Sequence, residues 1–451
     1  MTYGEPLSGF LSTNSSGPPE NGEPPSNPGR IGRIVSSVLE GSWRPFPPPP
    51  SFSSEDLSHA APILERQGSS GLAWARVRGT SLAATPQANR LRDGFRYHTL
   101  RVRQLERKLV EVVRYFRQGG VEPVLVKGWS LGRLYPEPGR RPYGDLDLLV
   151  PHPDFERARE LWSRPGRPFA PVELKSSLRM LRDRTARDLL RRSRLVSMAE
   201  SDEGRGRRVE SSPDSLPDPG ALDPGALGPV DLDPAALDPG ALGPVDLDPA
   251  APGRGAGREG IRIRTLGAED QLRLAALHAL NHGLCRPVWL CDVGALLESR
   301  SGAAGSFDWD YAMSGEPWLS EGVAVALGLA RELLGVDLEG AGVPPGWRSR
   351  PLPRWVLPAA LQAFGARAHY MDESHPTELL FTPGAMLREI RLRWVNPLEA
   401  TYRMEAPWQG LPRLAVQTAD YLKRSVRFLL NAPAYVWTTK RREREDRKPT
   451  R

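Results

Sequence analysis

The sequence predicts a mixed α/β (α+β) fold, with a small sheet domain followed by a C-terminal helical domain. Val121–Val126, Asp145–Val150 and Phe169–Ser176 are short apolar runs of the strand type, and helical patterns separate them. This alternation is typical of a small mixed sheet flanked by helices. After residue 260 the apolar residues recur at helical spacing, with short Gly and Pro breaks, which favours a helical bundle.

The N-terminal residues come before this sheet. Residues 1–54 are rich in Pro, Gly and Ser, and we expect residues 1–96 to be largely disordered except at Ile31–Leu39. The pattern of Ile63–Ala75 is ambiguous. A helix is predicted from about Tyr97, because apolar residues then recur every three or four positions as far as Phe116. This helix opens the sheet domain, which we place at residues 97–200.

Within the sheet domain, helices are predicted over Ser130–Tyr135, from His152 to about Trp162, and from Leu178 to about Met198. We place the helical domain at residues 261–435 and a charged tail at residues 436–451. The predicted helices of the second domain are Ala268–His282, Val288–Glu298, Leu319–Leu334, Trp355–Phe364 and Leu411–Leu430.

A repeat marks the linker that we expect between the two domains, at residues 201–260. Leu222–Ala236 recurs without change as Leu237–Ala251, a period of 15 residues. Proline is too frequent for a helix and the repeat has no aromatic residue for a core. A solenoid needs three or more stacked units, and only two full copies are present. The pattern therefore predicts an extended, disordered linker.

Composition restricts the compartment and the partners. The formal net charge is +7 and hydrophobic residues make up 39%. No apolar run approaches the roughly 18–20 residues that cross a bilayer, and the N-terminus lacks the pattern of a secretory signal. Cys285 and Cys291 are too few for a disulfide scaffold or a zinc cage, so we expect buried free thiols in the cytoplasm and no membrane partner.

Two aspartates and a glycine turn are the main candidates for chemistry. Asp145 and Asp147 lie two positions apart on a predicted strand, so they point to the same side while Leu146 and Leu148 face the core. Two carboxylates held so closely repel each other unless a cation lies between them, and oxygen ligands of this kind suit Mg²⁺. The turn at Gly128 would offer backbone N–H groups to a phosphate.

These motifs resemble those of a known superfamily. The segments Leu125-Val-Lys-Gly128, Leu134-Tyr-Pro136, Arg141-Pro142 and Asp145-Leu-Asp-Leu-Leu-Val150 look like a bacterial family of uncharacterised nucleotidyltransferases. It is part of the DNA-polymerase-beta nucleotidyltransferase superfamily, whose signature is a Gly-Ser turn followed by Asp-x-Asp. In this chain Trp129 stands between the glycine and the serine. The resemblance covers roughly residues 97–176 and 266–432.

The resemblance implies a polymerase-beta-like fold and a metal-dependent reaction. Asp145 and Asp147 would be catalytic metal ligands for Mg²⁺ (or Mn²⁺), in a mechanism with two cations about 3.5–4 Å apart. The family adds a third carboxylate from a neighbouring strand, and Glu173 is our candidate, because Val172 and Leu174 would face the core. The family pattern there resembles acid-Leu-His, and this chain has Lys175 in place of the histidine.

Five residues near the turn are candidates for nucleotide binding. Lys127 would meet a phosphate oxygen as a point charge, although an ordinary surface lysine fits the pattern equally well. The turn residues Gly128 and Ser130 and the loop residues Arg140 and Arg141 complete this set.

A second group of candidates lies in the helical domain. His278 and His282 share one helix face, and the segment around them resembles the histidine-bearing helix of the same family, which precedes a Trp-Asp segment that here includes Asp292. Metalloprotease chemistry is excluded because Ala279 stands where that motif needs glutamate. The histidines either face the substrate or are structural residues of the bundle with Asp292 as a partner.

These observations lead to one function and one alternative. We expect a nucleotidyltransferase that moves a nucleoside monophosphate from an NTP to a hydroxyl acceptor and releases pyrophosphate. The alternative is an inactive family member that binds a nucleotide or a protein through the same pocket. Nucleic acid is the less favoured partner, because no arginine array interleaved with aromatic residues accompanies the positive charge.

The linker interpretation has a direct test. Deleting residues 212–252 should leave the thermal unfolding midpoint and the activity nearly unchanged, because a disordered tether contributes little to a folded core. A chain that no longer folds after the deletion would show that this segment is part of the core.

Overall fold

The computed structural model describes residues 28–152, 154–198, 261–299, 307–366, 394–427 and 430. Pro25–Leu195 and Arg264–Arg451 belong to one compact unit, and the described residues 196–198 and 261–263 belong to a second. The predicted linker over 201–260 and the predicted tail over 436–451 lie outside the described residues. None of the helices described is both long enough and apolar enough to cross a membrane.

A mixed five-stranded sheet, in the order β3-β2-β1-β5-β4, forms the scaffold of the acidic residues. The strands are β1 (Val124–Leu125), β2 (Leu146–Leu149), β3 (Val172–Lys175), β4 (Arg194–Ser197) and β5 (Arg262–Thr265). Strand β1 is antiparallel to β2 and parallel to β5, and β2 is parallel to β3. All four residues of β2 are buried, which is typical of a strand covered on both faces. The predicted mixed α/β class is confirmed.

Helices make up most of the remaining described residues. They are α1 (Pro28–Leu39), α2 (Ser54–Arg66), α3 (Ser70–Val77), α4 (Pro86–Gln118), α5 (Trp129–Gly132), α6 (Phe155–Ser163), α7 (Ala186–Arg192), α8 (Ala268–Asn281), α9 (Val288–Glu298), α10 (Trp309–Met313), α11 (Pro317–Leu334), α12 (Pro345–Arg348), α13 (Val356–Gly365), α14 (Pro397–Arg403) and α15 (413–427). Short 3₁₀ turns cover Ser81–Ala84, Pro138–Arg140 and Arg179–Leu181.

The prediction that residues 1–96 are largely disordered is wrong for residues 28–96. The helices α1, α2 and α3 bury apolar stripes in the same hydrophobic core as α8, α9, α11 and α13. The contact between α1 and α13 is so close that a Cβ added at Gly32 would lie 1.9 Å from the Leu361 carbonyl oxygen. The main packing partner of α1 is α13, which lies more than three hundred residues away in the chain, whereas α2 and α3 pack mainly on α1, α4 and each other. The exception that we made for Ile31–Leu39 is confirmed by α1.

Helix α4 begins nine residues after the end of α3 and eleven residues before the predicted start near Tyr97. Thr85 caps it by accepting a hydrogen bond from the Ala88 N–H, and Pro86 occupies the first helical position. These two signals outweigh the sparse apolar pattern of residues 86–96. The start of a helix can therefore be set by its cap even where its first turns are mostly polar.

Two segments that were predicted to be helical contain strands. The segment from Leu178 to Met198 is not one helix, because α7 is capped by Thr185 and ends before β4. Residues 262–265 do not begin the helical region, because β5 pairs with β1 in parallel. Neither strand contains a continuous apolar run, so partners distant in the chain determine both. The sheet core therefore extends past the predicted boundary at residue 260.

A buried ion pair anchors the loop that leads into β2. Arg141 donates from Nε to Oδ1 of Asp292 at 3.0 Å and from Nη2 to Oδ2 at 2.7 Å. The Tyr135 hydroxyl donates to the same Oδ1 at 2.8 Å. Arg141 and Asp292 are 5% and 2% exposed, so neither charge is well hydrated. This pair fixes the loop end that places Asp145 next to β2, and it links that loop to α9.

Removing the buried carboxylate should therefore destabilise the fold. Asp292→Asn leaves the buried Arg141 charge without a counter-ion, so we expect the free energy of unfolding to fall by about 3–5 kcal/mol. Glu156→Gln is the control, because its ion pair with Arg159 is 62–66% exposed and should contribute less than about 1 kcal/mol. Chemical denaturation measures both. Equal small effects would contradict the anchoring role of Asp292.

Candidate functional site

Three carboxylates converge at one edge of the sheet core. One oxygen each of Asp145, Asp147 and Glu173 lies within 4.8 Å of the others, a spacing that would allow a shared metal ion. The structure therefore brings together the three residues that the sequence suggested as metal ligands. Such closeness of three negative charges is unfavourable without a compensating cation.

The pairing of β2 with β3 produces this convergence. Asp147 and Glu173 are register partners on the two parallel strands, so their side chains share one face of the sheet. Asp145 immediately precedes β2 and has the same parity as Asp147. Asp147 is 1% exposed, whereas Asp145 and Glu173 are exposed. The site thus has one buried carboxylate at its base and two accessible ones at its rim.

Two lysines neutralise the buried carboxylate. Lys127 Nζ lies 3.1 Å from Asp147 Oδ2, and Lys175 Nζ lies 3.1 Å from Asp147 Oδ1. Lys175 Nζ also lies 2.6 Å from Glu173 Oε1. Burial alone would raise the pKa of Asp147. The two ammonium groups lower this pKa by more than burial raises it, so the net shift is downward. Burial likewise lowers the pKa of Lys175, but Asp147 and Glu173 outweigh it and raise that pKa.

The oxygens of Asp147 fit a divalent cation. Both are buried, and each has one lysine ammonium group at 3.1 Å. A carboxylate offers about four lone-pair sites on its two oxygens, so the two ammonium groups leave acceptor capacity for a further ligand. With the oxygens of Asp145 and Glu173, those of Asp147 form an all-oxygen set of the kind that Mg²⁺ and Mn²⁺ prefer.

The glycine turn lies directly beside the acidic cluster. Gly128 has φ of 69°, which favours glycine, and a Cβ added there would lie 3.4 Å from the Asp145 carbonyl oxygen. The Val126 N–H donates to the Asp147 carbonyl at 3.0 Å, which ties this segment to β2. Ser130 is fully buried, and its hydroxyl is 3.4 Å from the Val126 carbonyl. Among the five residues predicted to bind the nucleotide, Ser130 is therefore the least accessible to a phosphate.

The two loop arginines have other partners. Arg140 is 1% exposed and donates to Glu137 and to the carbonyls of Ser42 and Arg44. Arg141 is committed to Asp292. Their guanidinium groups shape the loop, and in this arrangement neither is placed to reach a phosphate without breaking these bonds.

The predicted histidine pair belongs to an aromatic cluster. The ring centroids of His278 and His282 are 4.7 Å apart, and Trp289 lies 4.7 and 4.9 Å from them. Within the described residues, no hydrogen bond joins Asp292 to either histidine, so the interpretation that Asp292 is their partner is wrong. Asp292 instead binds Arg141 and Tyr135.

Both histidines are held in the neutral form. Burial lowers the pKa of His278 well below its ordinary value, and Lys127 lowers it further. Burial and the charge of Lys127 lower the pKa of His282 to about 4. His278, Lys127 and Arg141 line a cavity of about 10 Å³, room for about one water. Lys127 therefore lies close both to His278, with which it lines this cavity, and to Asp147 of the acidic cluster.

The sequence interpretation did not identify Lys175 as a partner of Asp147. The signal was present in the strand period, because Lys175 lies two positions after Glu173 and so shares its face. A lysine on the same face as two or three carboxylates predicts an ion pair among them.

Comparison with known proteins gives one match, which covers most of the sheet core. Residues 53–198 match a family model described as "Uncharacterised nucleotidyltransferase". This range includes the glycine turn, the three carboxylates and both lysines, and it ends before His278 and His282. No curated protein and no solved structure matches the chain. Residues 53–198, about a third of the chain, are therefore similar to the domain that this family model describes.

Proposed function

We propose that this protein is a metal-dependent nucleotidyltransferase that moves a nucleoside monophosphate from an NTP to a hydroxyl acceptor. The convergence of Asp145, Asp147 and Glu173 within 4.8 Å is the observation that carries this proposal. The position of Gly128 beside Asp145 and the family match over residues 53–198 support it.

The overall reaction balances as a displacement at phosphorus. The acceptor oxygen forms a bond to the α-phosphorus, the bond from that phosphorus to the bridging oxygen breaks, and pyrophosphate leaves with the electron pair. The hydroxyl proton goes to a base at the site. Glu173 is the candidate base, because it is 48% exposed and therefore accessible to an acceptor.

The three carboxylates would hold Mg²⁺ or Mn²⁺, which supplies charge neutralisation and lowers the pKa of the attacking hydroxyl when bound. Asp147 would orient the site, because burial and β2 fix its position more tightly than those of the exposed residues. Lys127 and the backbone of the Gly128 turn would bind the triphosphate, which carries the opposite charge.

The acceptor that we propose is a hydroxyl compound. His278 and His282 are candidates to contact it or the nucleotide, because they are neutral and lie near Lys127. A neutral imidazole can donate one hydrogen bond and accept another, which suits a hydroxyl group.

The proposal predicts transfer of label from an NTP. The protein is incubated with each α-³²P-labelled NTP, Mg²⁺ or Mn²⁺, and a cell extract that supplies acceptors. Asp147→Asn should reduce transfer on the order of 10³-fold, because the buried ligand is lost. Glu173→Gln should reduce it about 10²–10⁴-fold if Glu173 is the base.

Glu156→Gln is the matched control, because it removes an exposed carboxylate of the same domain outside the cluster. Its transfer rate should equal that of the unchanged protein. Transfer that persists in Asp147→Asn, with the fold intact by circular dichroism, would contradict the proposal.

One observation favours the alternative, a module that binds a nucleotide or a protein without catalysis. Both oxygens of Asp147 are already paired with lysines, so the site is neutralised without a metal. Binding of NTP by this protein in the complete absence of transfer, with any acceptor mixture, would support the alternative.

A further inference from the structure

We propose that Lys127 and Lys175 are built-in cations that pair with Asp147 until a divalent ion takes their place, and that both ammonium groups then bind the triphosphate. This inference rests on the proposed function and describes how the same site is controlled. It treats the lysines as positioning and binding residues.

The distances show that a metal and the lysines compete for the same atoms. Each oxygen of Asp147 has one ammonium group at 3.1 Å. A magnesium ion would lie about 2.0–2.1 Å from the oxygen that it binds. An ammonium on the same oxygen would then be only a few ångströms from a doubly charged ion, where repulsion is strong. Metal binding therefore requires at least one lysine to leave Asp147.

The net charge of the cluster changes sign when a divalent ion binds. Without a metal, three carboxylates and two ammonium groups leave one negative charge in excess. A divalent ion leaves one positive charge in excess, which attracts an anionic triphosphate. The two lysines are 25% exposed each, so their flexible side chains can turn toward solvent and a ligand.

The other cations of the loop cannot make this exchange. Arg140 and Arg141 are 1% and 5% exposed and are committed to Glu137 and Asp292. Rotation of Arg141 would leave the buried carboxylate of Asp292 without a counter-ion, which is costly. Rotation of Arg140 would break its bonds to Glu137 and to the carbonyls of Ser42 and Arg44. The lysines, by contrast, would exchange one anionic partner for another. The exchange also makes metal and nucleotide binding cooperative. The metal displaces ammonium groups from Asp147, and the phosphates of the nucleotide then bind these ammonium groups.

Mn²⁺ binding tests the exchange independently of catalysis. The full chain is titrated with Mn²⁺, and free ion is measured by electron paramagnetic resonance. Lys175→Met should bind Mn²⁺ about tenfold more tightly, because a competing charge has been removed. Lys175→Arg keeps the charge and should stay close to the unchanged protein. Lys108→Met is the control, because Lys108 is an exposed residue of α4 that pairs with Glu111.

A second titration uses inorganic tripolyphosphate in the presence of saturating Mn²⁺. Here Lys175→Met should bind about tenfold more weakly, because one of the two ammonium groups for the anion is missing. Opposite changes for the metal and the anion are the signature of a partner exchange. A lysine with a merely structural role would weaken both or neither.

The outcomes separate this inference from the proposed function. If Asp147→Asn abolishes Mn²⁺ binding but Lys175→Met leaves the affinity unchanged or lower, the metal site stands and the exchange is wrong. If Asp147→Asn binds Mn²⁺ as the unchanged protein does, the proposed metal site itself is wrong and the exchange falls with it. Should Lys175→Met fail to fold, Lys127→Met makes the same comparison at the other oxygen of Asp147.

Discussion

The structure of this site depends on one buried carboxylate. Asp147 is 1% exposed, and a lone charge so far from water would be strongly unfavourable. Lys127 and Lys175 compensate it from two sides, and they come from the segment after β1 and from β3. The ion pairs thus hold three consecutive segments of the sheet in register around one side chain. Every proposed role of Asp145, Glu173 and Gly128 follows from this placement.

A second buried charge connects the site to the helices. Arg141 lies in the loop that ends at Asp145, and its carboxylate partner lies in α9. Helices α1, α2 and α3 pack into the same core as α9, so residues that precede the sheet and residues that follow it stabilise one loop. The matched segment, residues 53–198, therefore packs against helices that precede it and helices that follow it in the chain.

Local patterns were sufficient to predict the acidic site. Strand parity placed Asp145 and Asp147 together and selected Glu173, and the glycine turn is next to them as expected. Several errors have one physical cause, which is pairing over long sequence distances. Helix α1 and the strand β5 acquire their main partners, α13 and β1, only in the folded chain. The true partner of Asp292 could not be predicted from the spacing of the histidines, since it lies 151 residues away in the loop.

The most direct measurement is a crystal structure with Mn²⁺ and a non-hydrolysable NTP analogue, using anomalous scattering to locate the metal. We expect a manganese peak at coordinating distance from an oxygen of Asp147, shared with Asp145 or Glu173. We also expect at least one of the two lysine ammonium groups within hydrogen-bonding distance of a phosphate oxygen. A fully occupied nucleotide with no manganese at these carboxylates, and both lysines still paired with Asp147, would contradict this account.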